Sequence, residues 1–345
     1  MRTRYGIPWS HVGGVGMKAF IWMGCAVLAG TGISPAAEPR LLIYSGQPEG
    51  VYRHEAIGWS LDLYKSLAPK GGFAYDTSSD TAVFTDAKLA RYQAVLMNCN
   101  CRGTRVFSQP QREALQRFVR RGGGWAGTHC AAAIELDWPW YMNLVGAVHR
   151  HHTDGSQPGI LKVEDRAHPS MAHFTAASWT IKKEELYFFL KDPAPSWKPN
   201  HALSKVTVLL TFQSWGNGQT RPPAGNKADS SDLGAMSWYH EFEGGRAWYT
   251  GLGHESWLYQ DSLYIKHLLG GLKYVLRLDG TNNLSGHALR PPSRSPRAWF
   301  GSAPGPAPMN AEYRAFDLLG ARLPTFHSNR GKGTLKYAPT EILGE

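Results

Sequence analysis

The sequence predicts an α/β domain built on a parallel β-sheet, because short apolar segments alternate with amphipathic helical segments in its first half. The apolar segments are almost continuously hydrophobic, as strands buried on both faces of a parallel sheet are. The clearest helical segment covers residues 109–120, where Leu115, Phe118 and Val119 fall on one face at three- and four-residue spacing. Glycines at 122–124 end this helix and lead into another apolar segment.

The elements of the first half are predicted in chain order as strands at 40–45, 73–76, 92–97 and 125–128, with helices at 55–67 and 109–120. In sheets of this type, ligands bind beyond the carboxyl ends of the strands. Those ends carry Ser45, Asn98 and His129, and His54 begins the first helix at the same edge. The sequence therefore places a candidate site at this edge.

The second half has a looser pattern. It is predicted to contain a short aromatic helix at 138–145, strands at 160–163, 179–181, 206–212, 236–241 and 246–249, and a last helix at 261–278. A hairpin turn is predicted at residues 244–246, and a long loop rich in Gly, Asn and Pro at 213–231. We expect one domain over residues 38–279, followed by a Pro-, Ser- and Gly-rich, partly disordered tail over 280–345.

His129 occupies the turn that follows the strand at 125–128. Gly127 and Ala131 flank it, and a tight strand-to-helix turn needs such small residues on either side, as in nucleophile elbows. A turn of this type holds its apex residue out of the sheet. Here the apex residue is an imidazole.

The first 37 residues are predicted to be an upstream extension followed by an export signal. Lys18 precedes an apolar run at 19–30, and the small residues at 34–36 suit a cleavage site. The run is too short to span a bilayer comfortably, so no stable membrane span is expected. We therefore expect a secreted or periplasmic protein.

Composition limits the classes of partner. The net charge is +10, but the Lys and Arg residues are dispersed and form no basic block, so nucleic-acid binding is not expected. Aromatic residues make up 12% of the chain, with 13 Trp and 15 Tyr, which suits stacking on sugar rings. The sequence gives no indication of oligomeric state.

Three cysteines follow the predicted signal: Cys99, Cys101 and Cys130. An odd number is a weak basis for a disulfide framework, and Cys99 and Cys101 are too close in sequence to bridge each other well. Buried thiols are the preferred interpretation. Zinc binding by a Cys–Cys–His set is the alternative.

Several separate motifs together resemble the ThuA-like (trehalose-utilisation) family over about residues 40–278. In chain order they are residues 52–55 (YRHE), 122–131 (GGGWAGTHCA), 138–141 (WPWY), Asp165 with 168–169 (HP), 184–187 (EELY) and 245–254 (GRAWYTGLGH). The resemblance implies a three-layer class I glutamine amidotransferase-like (flavodoxin-like) α/β fold and a role in disaccharide or keto-sugar metabolism. Amidotransferase relatives carry a cysteine at the elbow apex, so His129 at this position disfavours glutamine hydrolysis.

The candidate catalytic residues are His54, His129, His254 and Glu185. The three histidines lie at predicted junctions between strands, loops and helices, and a carboxylate beside a histidine can act as a general base. The alternative is that the histidines are structural caps or core groups and that Glu185 is a salt-bridged loop carboxylate.

Candidate substrate-binding residues are Tyr187, Trp138 and Asn98, although Trp138 can equally pack in the core. His149 and His151 would share a face of an extended strand and could bind zinc or a similar divalent ion, and the alternative is a solvated loop. Residues 251–254 lack the spacing of a phosphate-binding loop, so no nucleotide cofactor is expected.

These observations suggest an exported enzyme that transfers a proton on a 3-keto sugar or glycoside. Glu185 or His129 is the expected base, with His254 and His54 stabilising an oxyanion or binding a metal. The alternatives are a carbohydrate-binding accessory protein without catalysis and a metal-dependent hydrolase. Convergence of the histidines on Glu185 would favour an enzyme over an accessory protein.

Overall fold

The computed structural model describes residues 38–47, 50–101, 105–190, 206–216 and 232–280. The chain divides into two units, residues 1–290 and 291–345, and every described residue belongs to the first. The predicted export signal, the predicted tail beyond residue 280 and most of the predicted loop at 213–231 lie outside the described residues.

Five α-helices and twelve β-strands make up the described chain. The helices are α1 (Ala56–Gly71), α2 (Asp86–Leu89), α3 (Gln109–Arg120), α4 (Pro139–Val145) and α5 (Ser262–Val275). The first six strands are β1 (Arg40–Tyr44), β2 (Ala74–Ser78), β3 (Ala94–Asn98), β4 (Gly124–Thr128), β5 (His149–His152) and β6 (Gln157–Val163). The others are β7 (Ser178–Glu184), β8 (Tyr187–Leu190), β9 (Thr207–Trp215), β10 (Asp232–Leu233), β11 (Ala235–Phe242) and β12 (Gly245–Thr250).

The main sheet is mixed rather than wholly parallel. Its nine strands follow the order β2-β1-β3-β4-β12-β11-β9-β6-β7. Strands β2, β1, β3, β4 and β12 run parallel, whereas β11, β9, β6 and β7 join in antiparallel pairs. The prediction of a parallel sheet is therefore wrong for the second half. Antiparallel neighbours can be joined by tight turns, so this half needs no crossover helices.

Helices cover the parallel strands on both faces. Alternate residues of β1 enter two separate hydrophobic clusters, Leu41 and Ile43 in one and Leu42 and Tyr44 in the other. The first cluster includes residues of α1 and α5, and the second includes residues of α3 and α4. Burial on both faces explains why these strands are almost continuously apolar.

The predicted hairpin turn is confirmed between β11 and β12, one residue earlier than expected. Phe242 pairs with Gly245, which leaves Glu243 and Gly244 as a two-residue loop. Both loop residues have positive φ, 46° and 96°, as a type I′ turn requires. The tight turn places β12 directly between β11 and β4.

Three strands, β5, β8 and β10, are absent from the predicted elements. β5 and β8 pair in a second, three-stranded sheet with the order β10-β8-β5. In addition, β9 continues to Trp215, so the predicted loop begins later than residue 213. None of the described helices has the length and apolar character needed to cross a membrane.

His267 is a buried histidine of α5 that holds this helix against the sheet. Its Nδ1 atom lies 3.1 Å from the Ser170 carbonyl oxygen and its Nε2 atom 3.1 Å from Ser237 Oγ. Burial lowers the pKa of His267 from 6.5 to about 3.

We expect the stability of the metal-free protein to depend on pH through His267. Because its folded pKa lies below its unfolded pKa, only the unfolded chain binds the proton between these values, so stability is greatest above pH 6.5 and falls as the pH decreases. Urea unfolding at pH 7 and pH 5 should show a smaller decrease for His267→Gln than for the wild type, by about 2 kcal/mol. Equal decreases in the two proteins would contradict this assignment.

Candidate active site

The candidate site lies where the carboxyl ends of adjacent parallel strands meet. His129 follows β4 directly, and His254 lies four residues beyond the end of β12, the strand beside β4. His54 precedes α1, and Glu185 lies between β7 and β8. The four residues therefore come from distant parts of the sequence to one edge of the sheet.

Their ring nitrogens and carboxylate converge on one point. The Nε2 atom of His129 lies 3.1 Å from His54 Nε2, 3.2 Å from Glu185 Oε2 and 3.4 Å from His254 Nδ1. Glu185 Oε2 is also 3.5 Å from His254 Nδ1. One potential ligand atom from each residue lies within 4.8 Å of all the others. The structure thus brings together all four residues that were predicted to be catalytic.

His129 has an unusual backbone conformation. Its φ is 49°, a left-handed conformation that is uncommon for a residue with a side chain. The turn is held tightly, since Tyr249 donates a hydrogen bond to the His129 carbonyl oxygen over 2.7 Å. A Cβ atom at Gly127 would lie 2.5 Å from the Trp125 ring and 3.1 Å from the Ala131 Cβ. Only glycine fits there, in agreement with the predicted elbow-like turn.

Hydrogen bonding fixes the tautomer of His129. Its Nδ1 atom lies 3.1 Å from the Gly251 carbonyl oxygen, which can only accept a hydrogen bond. Nδ1 therefore carries the proton, and the Nε2 lone pair of the neutral ring points at the centre of the cluster. A backbone carbonyl on the other ring nitrogen is a common feature of metal-binding histidines.

His54 is oriented in the same way by a disulfide bond. Its Nδ1 atom lies 3.0 Å from Cys101 Sγ, and Cys101 is bonded to Cys130. A disulfide sulfur can only accept a hydrogen bond, so Nδ1 carries the proton and the Nε2 lone pair faces His129. The lone pairs of His54 Nε2 and His129 Nε2 thus face each other, and both the His54 nitrogen and the Glu185 carboxylate oxygen lie within 3.2 Å of His129 Nε2. A cation between these atoms would stabilise the arrangement.

The electrostatics of the cluster favour neutral rings for His54 and His129 beside an ionised Glu185 carboxylate. Burial lowers the pKa of His54 to about 3, assisted by His129 and His254, and burial also lowers the pKa of His129. Burial alone would raise the pKa of Glu185, but the histidines around it lower the pKa below its usual range. For His254 burial acts to lower the pKa, whereas Glu185 outweighs it and raises the pKa above 6.5. His254 therefore carries the proton most readily.

The donor set fits a divalent transition-metal ion. Ligand atoms about 2.1 Å from a single ion are separated from each other by about 3.0–3.5 Å. The separations of 3.1 Å between His129 Nε2 and His54 Nε2 and of 3.2 Å between His129 Nε2 and Glu185 Oε2 match that range. Imidazole nitrogens with one carboxylate suit zinc, iron, nickel or copper, and the two-histidine, one-carboxylate set is a known metal site.

Glu184 holds the loop that carries His254. Its carboxylate accepts hydrogen bonds from the backbone N–H groups of Gly253, His254 and Glu255 over 3.0, 2.8 and 3.1 Å. Burial raises the pKa of Glu184 to about 8, although these donors act in the opposite direction. The adjacent acidic residues thus have separate roles, because Glu184 fixes the loop and Glu185 faces the histidines.

The prediction of buried thiols is confirmed for Cys99 and wrong for Cys101 and Cys130. Cys99 is a buried thiol, and burial raises its pKa to about 11. Cys101 and Cys130 instead form a disulfide across a sequence separation of 29 residues. The paired cysteines follow β3 and β4, which are neighbours in the sheet, so the topology brings their ends together.

Asn98 is packed within the protein. It is fully buried, and its amide nitrogen donates hydrogen bonds to Ser45 Oγ and Ser60 Oγ over 3.0 and 2.9 Å. Thr128 Oγ1 and Tyr64 Oη lie 3.5 Å from its amide oxygen. Its hydrogen-bonding capacity is used within the protein, so the prediction of direct substrate contact is wrong.

Tyr187 and Trp138 are also packed within the protein. Tyr187 is 2% exposed, and its hydroxyl lies 3.1 Å from Cys130 Sγ. Its ring centroid is 4.4 Å from that of His129, so it supports the cluster from behind. Trp138 is 9% exposed and stacks on Trp140, with the Arg112 guanidinium over its ring. The packing alternative therefore holds for Trp138.

A β-bulge separates the two histidines that were predicted to bind a metal together. The pairing of β5 with β8 shifts register between His149 and His151. His149 and His152 consequently stack against each other on the side of Tyr187, whereas the His151 ring contacts Phe188. The prediction that His149 and His151 share a face is wrong.

His152 and Tyr52 are site residues that the sequence analysis missed. The His152 Nδ1 atom lies 3.0 Å from Glu185 Oε1 and 2.9 Å from the Thr153 carbonyl oxygen, so its N–H donates. Tyr52 is 66% exposed, with its ring 4.9 Å from that of His54. The signal for His152 was present in the run of histidines, but the bulge changed which of them faces the cluster.

Comparisons with known proteins agree with this architecture. A family model described as ThuA, trehalose utilisation, matches residues 40–275. Among solved structures, a ThuA-like protein from Bacteroides uniformis is 23% identical with a TM-score of 0.54, over 71% of this chain and 95% of that chain. A ThuA-like protein from Parabacteroides merdae is 15% identical with a TM-score of 0.52, over 72% of this chain and 93% of that chain. No curated protein matches the sequence.

Proposed function

The chain belongs to the ThuA family, and on this basis we propose that it is a metal-assisted, sugar-active enzyme that transfers a proton next to a ketone. The observation that carries the proposal is the convergence of His54, His129, His254 and Glu185 within a few ångströms, with the lone pairs of His54 and His129 directed at a single point. The description of the family as trehalose utilisation supports a sugar as the substrate.

Three of the four residues are suited to hold a divalent ion. The side chains of His54 and His129 are buried and neutral, and that of Glu185 is 13% exposed and ionised. A bound divalent ion supplies Lewis-acid stabilisation of negative charge on a substrate oxygen. We therefore propose ion binding rather than proton abstraction for Glu185 and His129, in contrast to the roles expected from the sequence.

His254 is suited to move the proton. Its side chain is 24% exposed, more than those of His129 and Glu185, so it lies on the outer side of the cluster. A general base works best when its pKa lies near the working pH, and an imidazole has an ordinary pKa of about 6.5. A C–H next to a ketone is acidic enough for an imidazole to abstract its proton, so a 3-keto glycoside is the substrate class we favour.

Tyr52 supplies an exposed aromatic face beside the cluster. Its ring is 66% exposed and lies next to His54, so a sugar ring could stack on it while its keto group reaches the buried donors. Asn98 and Tyr187, the residues predicted to contact the substrate, are buried. We therefore propose Tyr52 as the substrate contact in their place.

The disulfide supports the expectation of export. Disulfides persist in secreted and periplasmic proteins and are rare in the cytosol of most organisms. Cys101–Cys130 is therefore consistent with the export signal expected in the first 37 residues. The helices on both faces of the parallel strands likewise support the three-layer, amidotransferase-like fold, while His129 at the apex and Cys130 in a disulfide argue against glutamine hydrolysis.

The proposal is tested by metal content and hydrogen exchange. We expect about one transition-metal ion per chain by elemental analysis, and a lower melting temperature after chelation. The metal-loaded protein should incorporate deuterium from heavy water into 3-keto-trehalose or a methyl 3-keto-glucoside, and the chelated protein should not. Sugar binding without exchange, in a protein that retains no metal, would instead identify a carbohydrate-binding accessory protein.

A further inference from the structure

The disulfide and His54 form a second group of potential metal ligands next to the histidine cluster. Cys101 Sγ lies 3.0 Å from His54 Nδ1 and 3.8 Å from His54 Nε2. Cys130 Sγ lies 4.0 Å from Nδ1 and 3.7 Å from Nε2. His54 thus has the histidine cluster on one side of its ring and two sulfur atoms on the other.

In the oxidised protein this group cannot bind a metal strongly. Cysteine binds metal ions as a thiolate, and both sulfur atoms are bonded to each other in the disulfide. A dithiol or phosphine reductant changes this. With two equivalents of a thiol, the S–S bond breaks, Cys101 and Cys130 each gain a hydrogen atom, and the reductant is oxidised to its own disulfide. With a phosphine, water supplies the two hydrogen atoms and its oxygen converts the phosphine to the phosphine oxide. Binding of a divalent ion then releases both thiol protons.

We infer that the reduced protein has a second, thiol-dependent metal site formed by Cys101, Cys130 and His54, which takes a thiophilic divalent ion such as zinc. Two cysteines and one histidine with an open fourth position form a known type of zinc site. Nitrogen and sulfur atoms on one zinc ion are about 3.5 Å apart, and the distances of 3.0 and 4.0 Å from His54 Nδ1 lie on either side of that value.

Cys130 has one hydrogen-bond partner that suits a metal-bound sulfur. The Tyr187 hydroxyl lies 3.1 Å from Cys130 Sγ and can donate a hydrogen bond to it. Cys101 and Cys130 are 4% and 3% exposed, so an ion held there would be largely shielded from water. Cys99 is separate from this group, since its sulfur contacts Thr128 and Tyr259.

The two sites compete for His54. A metal ion on Nδ1 moves the single proton of the neutral ring to Nε2, and Nε2 then has no lone pair for the histidine cluster. Reduction in the presence of zinc should therefore remove His54 from the proposed catalytic centre. The inference depends on the proposed function only through this shared residue.

Cobalt provides the test, because a cobalt–thiolate bond gives a charge-transfer absorption band. Chelator-stripped protein is titrated with cobalt in the oxidised form and after reduction with a phosphine under anaerobic conditions, with free thiols counted in each. We expect a thiolate band only in the reduced form, saturating at one ion per chain. Cys101→Ser and Cys130→Ser should abolish it, and His54→Ala should weaken cobalt binding at this site by about tenfold or more.

Cys99→Ser is the matched control and should retain the band, because Cys99 lies outside the group. The melting temperature of each variant shows whether it folds. If a variant does not fold, the comparison of the cobalt titrations of oxidised and reduced wild-type protein decides the test. Absence of the band after two new thiols are counted, resistance of the disulfide to reduction in the folded chain, or a band that survives Cys101→Ser would overturn the inference.

The failure of this inference is distinguishable from failure of the proposed function. His129→Ala disrupts only the histidine cluster, so it should leave the thiolate band unchanged. Metal in the oxidised protein without a band in the reduced protein would reject the second site alone. A band in the reduced protein without metal in the oxidised protein would reject the proposed catalytic centre alone.

Discussion

Replacing His129 by alanine is expected to abolish metal binding and to slow turnover strongly, whereas replacing His254 by alanine should slow turnover strongly but leave most of the metal in place. His129 Nε2 lies at the centre of the cluster, 3.1–3.4 Å from the nitrogens of His54 and His254 and 3.2 Å from Glu185. His254 is the most exposed of the three histidines, and we assign it the proton transfer. Loss of either should lower the rate by roughly 10²–10⁴-fold.

The measurements are metal content by elemental analysis and deuterium incorporation into a 3-keto glycoside. His173→Ala is a matched control, since His173 is a half-buried histidine that bonds the Leu263 carbonyl oxygen outside the cluster. It should retain metal and activity. If His129→Ala kept its metal and its rate, the cluster would not be the active site. If His254→Ala lost the metal as completely as His129→Ala, His254 would be a ligand and the proton would have another carrier.

Replacing Glu184 by alanine is expected to lower the free energy of unfolding by about 2–4 kcal/mol, because the N–H groups of Gly253, His254 and Glu255 lose their shared acceptor. The effect should extend to the cluster. The same loop includes Gly251, whose carbonyl oxygen fixes the His129 tautomer, and an indirect contact of this type typically contributes 10–100-fold to metal affinity.

Urea unfolding and metal titration would measure the two effects. Glu184→Gln keeps an oxygen for Gly253 and His254 but places an NH₂ group against the Glu255 N–H, so its loss should be smaller than that of Glu184→Ala. Glu164→Ala is the control, because Glu164 forms a surface ion pair with Lys162 and should change stability by less than about 0.5 kcal/mol. If Glu184→Ala were as stable as Glu164→Ala, the loop would not depend on this carboxylate.

Glu184 and Glu185 show that the alternation of inward and outward side chains along a strand does not always predict which residue is buried. Trp179 and Ile181 are buried, so strict alternation along β7 would turn residue 183 inward, but the structure buries Glu184. The pairing of β6 with β7 contains a register irregularity at this end of the strand. A similar irregularity in β5 turned His152 rather than His151 toward Glu185. A bulge inserts one residue, so every side chain after it points to the opposite face of the sheet from the one that strict alternation predicts. The local sequence does not indicate where such a bulge occurs.

The sequence by itself determined the features that depend on neighbouring residues. Helical spacing placed α3 at residues 109–120, and continuous apolar runs located the strands that are buried on both faces. The small residues around His129 indicated its apex position, where the structure shows a φ of 49°. These signals are local because a turn or a helix face is set by residues a few positions apart.

The tertiary structure alone decided which distant segments meet. It placed β12 beside β4, which brings His254 to His129 across 125 residues, and it joined Cys101 to Cys130. It also buried Asn98 among other side chains, although its place at a strand end suggested a substrate contact. Strand order and side-chain partners depend on how whole elements pack together, and residue spacing along the chain carries no record of that packing.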